Sequence, residues 1–152
     1  MNPFFHLILG GIFSLILYFS GVSLEFSLVI FVSSFFLIDL DHIFLFVLEK
    51  KSINPIKFWD HSSQIREKWL SMPESKKKLY KYPIFLFHNV EFLLILSLLS
   101  FFSSLFFMVF VGCFFHLIVD YIDLFLRKEP LYPKFSFLLT LKRNKNKKKL
   151  VL

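Results

Sequence analysis

Residues 35–46 read FFLIDLDHIFLF, placing Asp39, Asp41 and His42 inside a run that is otherwise apolar. An isolated charge at the centre of a bilayer costs roughly 3 kcal/mol on insertion scales. Three ionisable groups kept in four positions therefore call for a partner or a use. The surrounding composition says what kind of medium they sit in. The chain has 152 residues, enough for one domain, and is 56% hydrophobic with a mean hydropathy of +0.64, far above a soluble domain. It contains 24 Phe and no Ala. That pattern points to base-composition bias, so single Phe residues carry little weight. The class is a membrane protein, and the fold class all-α.

Working outward from this stretch, residues 26–48 make one candidate span, broken only by Asp39, Asp41 and His42. Residues 3–24 contain no Asp, Glu, Lys or Arg, and they are long enough to cross a hydrocarbon core of roughly 30 Å. A signal peptide is the rival reading. It fails for want of a basic start and a small-residue cleavage site, and the apolar run is too long. Residues 84–126 hold no Lys or Arg and supply two further spans, about 84–103 and 105–126, with the turn near Ser100–Ser104. The expectation is four transmembrane helices, a polar loop over 49–83 with a short helix near 62–71, and a basic tail over 127–152.

Charge sets the orientation. All 18 Lys and Arg fall in 50–81 or 127–149, nine in each segment. A basic nucleic-acid-binding surface would need such residues too, but the positive-inside rule accounts for two clusters separated by two spans. Both termini and the 49–83 loop are then cytoplasmic. The single cysteine, Cys113, rules out an internal disulfide or a multi-cysteine metal site and reads as packing.

On that topology every intramembrane ionisable residue lies in the cytoplasmic half. These are His6; Asp39, Asp41 and His42; His88 and Glu91; and His116, Asp120 and Asp123. His116, Asp120 and Asp123 stand at i, i+4 and i+7 on one helix face, and Asp39 with His42 and His88 with Glu91 stand at i, i+3. Asp41 points away from Asp39 on an ideal helix, so either that helix is distorted or Asp41 serves a second metal or an outer shell. Five carboxylates share the zone with no cation in any span. Divalent ions held by neutral imidazoles beside carboxylates would resolve this, which makes all nine residues candidate metal ligands. His61, in the loop, reads as an ordinary surface residue.

A His in the first span, Asp-Leu-Asp-His over 39–42, a His opening a later span and His116-x-x-x-Asp120 together resemble the YdjM-like family of membrane-bound metal-dependent hydrolases, itself distantly similar to zinc-dependent phospholipase C. The resemblance implies metal ligation by His6, Asp39, His42, His88, His116 and Asp120, with Asp41 a ligand or the catalytic base. It also implies a prokaryotic cell membrane. The family's His-Arg block before the third span is absent, since that region reads YPIFLFHNVEF. Arg66, Lys81 or Arg127 would have to meet a phosphate instead.

The expected activity is hydrolysis of a phosphoester in a lipid or lipid-linked substrate, assisted by one or more zinc-class ions, with Asp41 taking the proton and membrane lipids as neighbours. A metal or proton transporter, or a non-catalytic metal-stabilised membrane protein, is the alternative. His-Glu-x-x-His and clustered histidine boxes are both missing, which argues against a zinc protease and a di-iron hydroxylase.

Overall fold

From Leu24 to Lys50 the chain forms one apolar helical run of 27 residues, but it is not evenly wound. It begins as α2 (Leu24–Val32), loosens into a π turn over Ser33–Leu37, breaks at Ile38–Asp39 and resumes as α3 (Leu40–Lys50). The computed structural model describes residues 3–145 and residue 147, and those residues are all-helical, without a strand. Before this run lies α1 (Pro3–Phe19). The turn between them uses Gly21 at φ +99°, a left-handed backbone that suits glycine. Ser23 then caps α2 by accepting from the Phe26 amide.

The loop is more helical than its composition suggested. Asn54 caps α4 (Pro55–Leu70), with proline in the first turn, so this helix starts well ahead of residue 62. A short α5 (Glu74–Lys77) follows. The third apolar stretch departs furthest from expectation. Its helix, α6, runs only from Val90 to Ser100, about 16 Å at 1.5 Å per residue. Residues 82–87 ahead of it are non-helical. Asn89 accounts for the difference. Its Nδ2 donates to the Phe85 and Leu86 carbonyls, each at 2.8 Å, and its Oδ1 accepts from the Phe92 amide at 2.8 Å. Non-helical backbone survives in apolar surroundings only where side chains satisfy it in this way.

The fourth stretch is α7 (Ser104–Leu126), a 23-residue helix that packs against α6, α2, the π turn and α1. Alone with the Leu24–Lys50 run, it is long and apolar enough among the described residues to cross a membrane; α1 and α6 are shorter apolar helices. The C-terminal segment is no free basic tail. It folds back as α8 (Tyr132–Phe135) and α9 (Phe137–Asn144). Glu91 on α6 secures it, accepting from Ser136 Oγ at 2.6 Å and from the Phe137 and Leu138 amides. Asn144 exchanges two hydrogen bonds with the Tyr82 backbone. Residues 148–152 of the expected tail lie outside the described residues.

Small residues decide how closely the central helices approach. A Cβ on Gly112 of α7 would lie 2.6 Å from the Ile30 carbonyl oxygen and 2.7 Å from Ser33 Cβ, and one on Gly10 of α1 would lie 2.5 Å from Ser34 Oγ. Small-residue contacts of this kind let helices meet backbone to backbone where lipid gives no hydrophobic drive. Beside them Ile38, Leu96, Cys113 and Leu117 form the buried apolar core, with Cys113 fully enclosed. Gly112→Ala is therefore expected to destabilise the detergent-solubilised protein by about 1–3 kcal/mol, as overpacking does. Gly11→Ala, whose Cβ would meet only Phe31 at 3.7 Å, should leave the melting temperature nearly unchanged. Equal melting temperatures for the two variants would contradict this packing.

Candidate metal centre

The break in the second apolar stretch puts its acidic pair to use. Asp39 occupies the cap position of α3, where an aspartate usually accepts from the first-turn amides, yet its side chain makes no cap bond. It turns inward, and its Oδ1 lies 3.2 Å from His88 Nε2. Asp41 Oδ2 lies 3.2 Å from the other ring nitrogen, Nδ1. One imidazole is thus bracketed by two carboxylates that leave the chain two residues apart. On an ideal helix they would diverge; across the break at Ile38–Asp39 each reaches a different nitrogen of the His88 ring. Asp41 Oδ2 also accepts from the Phe87 amide at 2.7 Å, so it tethers the non-helical segment that carries His88.

His116 is held in the same manner from α7. Gly112, one turn earlier, lets α7 lie against Ser33 and Ser34, and His116 Nδ1 donates to the Ser34 carbonyl at 2.8 Å. A carbonyl only accepts, so Nδ1 carries the proton and Nε2 presents a lone pair. That lone pair is fully buried and has no hydrogen-bond partner. It faces Asp120 Oδ2 at 3.4 Å and Asp39 Oδ1 at 3.8 Å. His6 of α1 stacks on His116 with ring centroids 3.9 Å apart, and its Nε2 lies 3.2 Å from Asp120 Oδ1.

Two groups result: His6, His116 and Asp120, all buried, and Asp39, His42 and His88, partly open. Within each group the donor atoms lie within 4.8 Å of one another. The groups touch, since His88 Nε2 is 3.8 Å from Asp120 Oδ2. Their residues fit a divalent ion. His116 ties Nδ1 to the Ser34 carbonyl and aims its unpartnered Nε2 at the Asp120 and Asp39 oxygens. A lone pair facing an anion is repulsive unless a cation stands between them.

The structure brings six of the nine expected residues into these groups. Asp41 sits directly behind them, on His88. Glu91 and Asp123 lie outside: Glu91 caps α9, and Asp123 pairs with Arg127 at 2.9 Å. His61 is not the surface residue that its polar neighbours suggested. Its side chain is 13% exposed, it pairs with Glu49 at 3.4 Å, and its ring meets Phe46. It lines a cavity of about 730 Å³ whose floor includes His6, Asp39 and His42. Trp59 and Arg66 of α4, Arg127 and Lys134 complete parts of its wall. Lys134 is the residue that sequence reasoning missed. It arrives from α8 and donates to Asp120 Oδ2. Nothing in the sequence pairs positions 120 and 134. The Ser136 cap of α9 is the one local sign that this segment folds.

No protein-family model, curated protein or solved structure matches the chain. The resemblance to the YdjM-like family therefore stands on the residue pattern alone.

His88→Ala and His116→Ala are each expected to lower the amount of zinc that the purified protein takes up, measured by elemental analysis, because each removes a donor from one of the two groups. Asp41→Asn is expected to weaken zinc binding about 10–100-fold without abolishing it, the size of effect seen when a residue orienting a ligand is lost. Complete loss of zinc in Asp41→Asn would move Asp41 into direct coordination.

Proposed function

We propose that the chain is an integral membrane hydrolase with four spans, and that it uses a pair of zinc-class ions to cleave a phosphoester of a lipid or lipid-linked substrate. The observation that carries this reading is the meeting of two His/Asp groups beside a cavity that His6, Asp39 and His42 line together with basic, acidic and apolar side chains. Arg66, Arg127 and Lys134 line the wall, and Leu48, Trp59 and Leu70, which also line the cavity, are each more than two-fifths exposed. An amphiphile matches the apolar part of that lining, with its head directed to Arg66 and the His/Asp groups.

Ions bound here would polarise a phosphoryl oxygen and make a water nucleophilic near neutral pH. The chain's own residues do the rest. His6, His116 and Asp120 would hold one ion, and Asp39, His42 and His88 the other. Asp41 is turned away from the cavity towards His88 and Phe87, so in this reading it orients His88 rather than taking the proton from water. Arg66, which lines the cavity, would meet a substrate's negative charge in place of the family's missing arginine, whereas Arg127 already pairs with Asp123.

Apolar side chains support the membrane reading. Phe19, at the end of α1, and Phe101 and Phe102, in the turn between α6 and α7, are all more than four-fifths exposed. Surface of this kind belongs in lipid. With both basic segments on one side, that side is cytoplasmic and the aromatic turns face outward.

Two measurements test the reading. Hydrolysis of phospholipid, lipid pyrophosphate or a generic phosphoester should appear with zinc and vanish with chelator. Absence of activity in zinc-loaded protein against all three would move the reading to metal transport or a structural metal. In intact cells, a cysteine replacing Lys57 on α4 should resist a membrane-impermeant maleimide, and one replacing Ser104, polar and exposed beside the α6–α7 turn, should react. The reverse pattern would overturn the orientation.

A further inference from the structure

Asp120 is 1% exposed, and its Oδ2 receives the Lys134 ammonium. The same oxygen faces His116 Nε2 at 3.4 Å and His88 Nε2 at 3.8 Å. A lysine therefore reaches the heart of a cluster that sequence alone left without any cation. The contact is built rather than incidental. Tyr121 Oη donates to the Lys134 carbonyl at 3.0 Å. Upstream, Glu129 is clamped by Lys77 Nζ at 2.5 Å and Trp69 Nε1 at 3.3 Å. Downstream, Glu91 holds the start of α9. The ammonium also lies 5.9 Å from the centre of the Phe85 ring, a face that favours a cation. By contrast, no lysine or arginine pairs with Asp39 among the described residues; its neighbours are His42, His88 and His116.

We propose that Lys134 occupies a cation position of the cluster and so sets its metal stoichiometry. The Asp39–His42–His88 group takes one divalent ion firmly, and the His6–His116–Asp120 group takes a second only in competition with the Lys134 ammonium. The inference rests on the metal reading above. Its physical basis is short-range charge. An oxygen in contact with an ammonium has its charge already balanced, and a divalent ion approaching it meets a like charge unless the lysine withdraws. Lys134 is thereby a residue that determines metal occupancy, and the anchored C-terminal segment is what places it.

The test is a zinc titration of the full-length, metal-stripped protein in detergent against a chromophoric chelator. The native protein should bind one zinc tightly and a second at least tenfold more weakly. Lys134→Gln should tighten the second zinc at least tenfold and leave the first unchanged, whereas Lys134→Arg should behave as native. Without zinc, Lys134→Gln should melt below the native protein, because Asp120 loses the Lys134 ammonium. With zinc it should recover more than the native protein does, since a ligand bound only by the folded state stabilises it. If Lys134→Gln does not fold, Tyr121→Phe, which frees the Lys134 carbonyl, should tighten the second zinc in the same direction. Two equal sites in the native protein, or an unchanged second site in the variants, would overturn the role of Lys134 while leaving the metal centre standing. No zinc bound by any of these proteins would instead overturn the metal centre itself.

Discussion

The His88 ring stands between Asp39 and Asp41, one carboxylate on each nitrogen at 3.2 Å. Much of the local backbone exists to allow this. The second apolar stretch must break at Ile38–Asp39 so that residues two apart face one target. The chain before α6 must stay unwound so that His88 can enter from the side, with the Phe87 amide on Asp41 and Asn89 satisfying the carbonyls behind it. A regular helix through either segment would turn one carboxylate away or carry His88 off the cluster. The irregularities thus sit where a polar site is assembled, the usual place for a π turn.

The same site depends on helix packing at the scale of single methyl groups. His116 reaches the Ser34 carbonyl because Gly112 lets α7 press on the π turn, and Gly10 does the same for α1 at Ser34. A larger residue at Gly112 would push α7 away and draw His116 off the Ser34 carbonyl, and one at Gly10 would shift α1 and draw His6 from Asp120. Stability and site geometry are therefore coupled through one contact region around Ser33 and Ser34, both buried.

Electrostatics divides the carboxylates by duty. Five lie in the apolar stretches, and taken together they demand positive charge. The tertiary structure distributes the demand. Glu91 goes to the α9 cap, Asp123 to Arg127, and Asp120 to Lys134, while Asp41 is spent on His88 and the Phe87 amide. Asp39 is left with imidazoles alone. The place where a metal ion could be held is accordingly centred near Asp39 and the unpartnered His116 nitrogen, rather than spread over five anions.

Hydropathy and spacing alone determined that the chain is helical and strongly apolar, and that its histidines and aspartates belong together. Burying a charge is costly enough that nine such residues cannot be scattered without purpose. His116 and Asp120 were legible as a pair because four residues make one helical turn. Only the tertiary structure decided the remainder. Asp41 joins Asp39 on one imidazole beside a helix break at Ile38–Asp39 that has no periodic signature. The helix after Pro83 starts late because a single asparagine satisfies the unwound backbone. Glu91 and Asp123 leave the cluster, His61 turns inward, and Lys134 enters from a segment that composition marks only as basic. Each of these is a contact between residues 12 to 60 or more positions apart, or a choice among partners equally near in sequence. Local periodicity carries no information about which distant group will arrive, and that arrival is what sets the charge at the site.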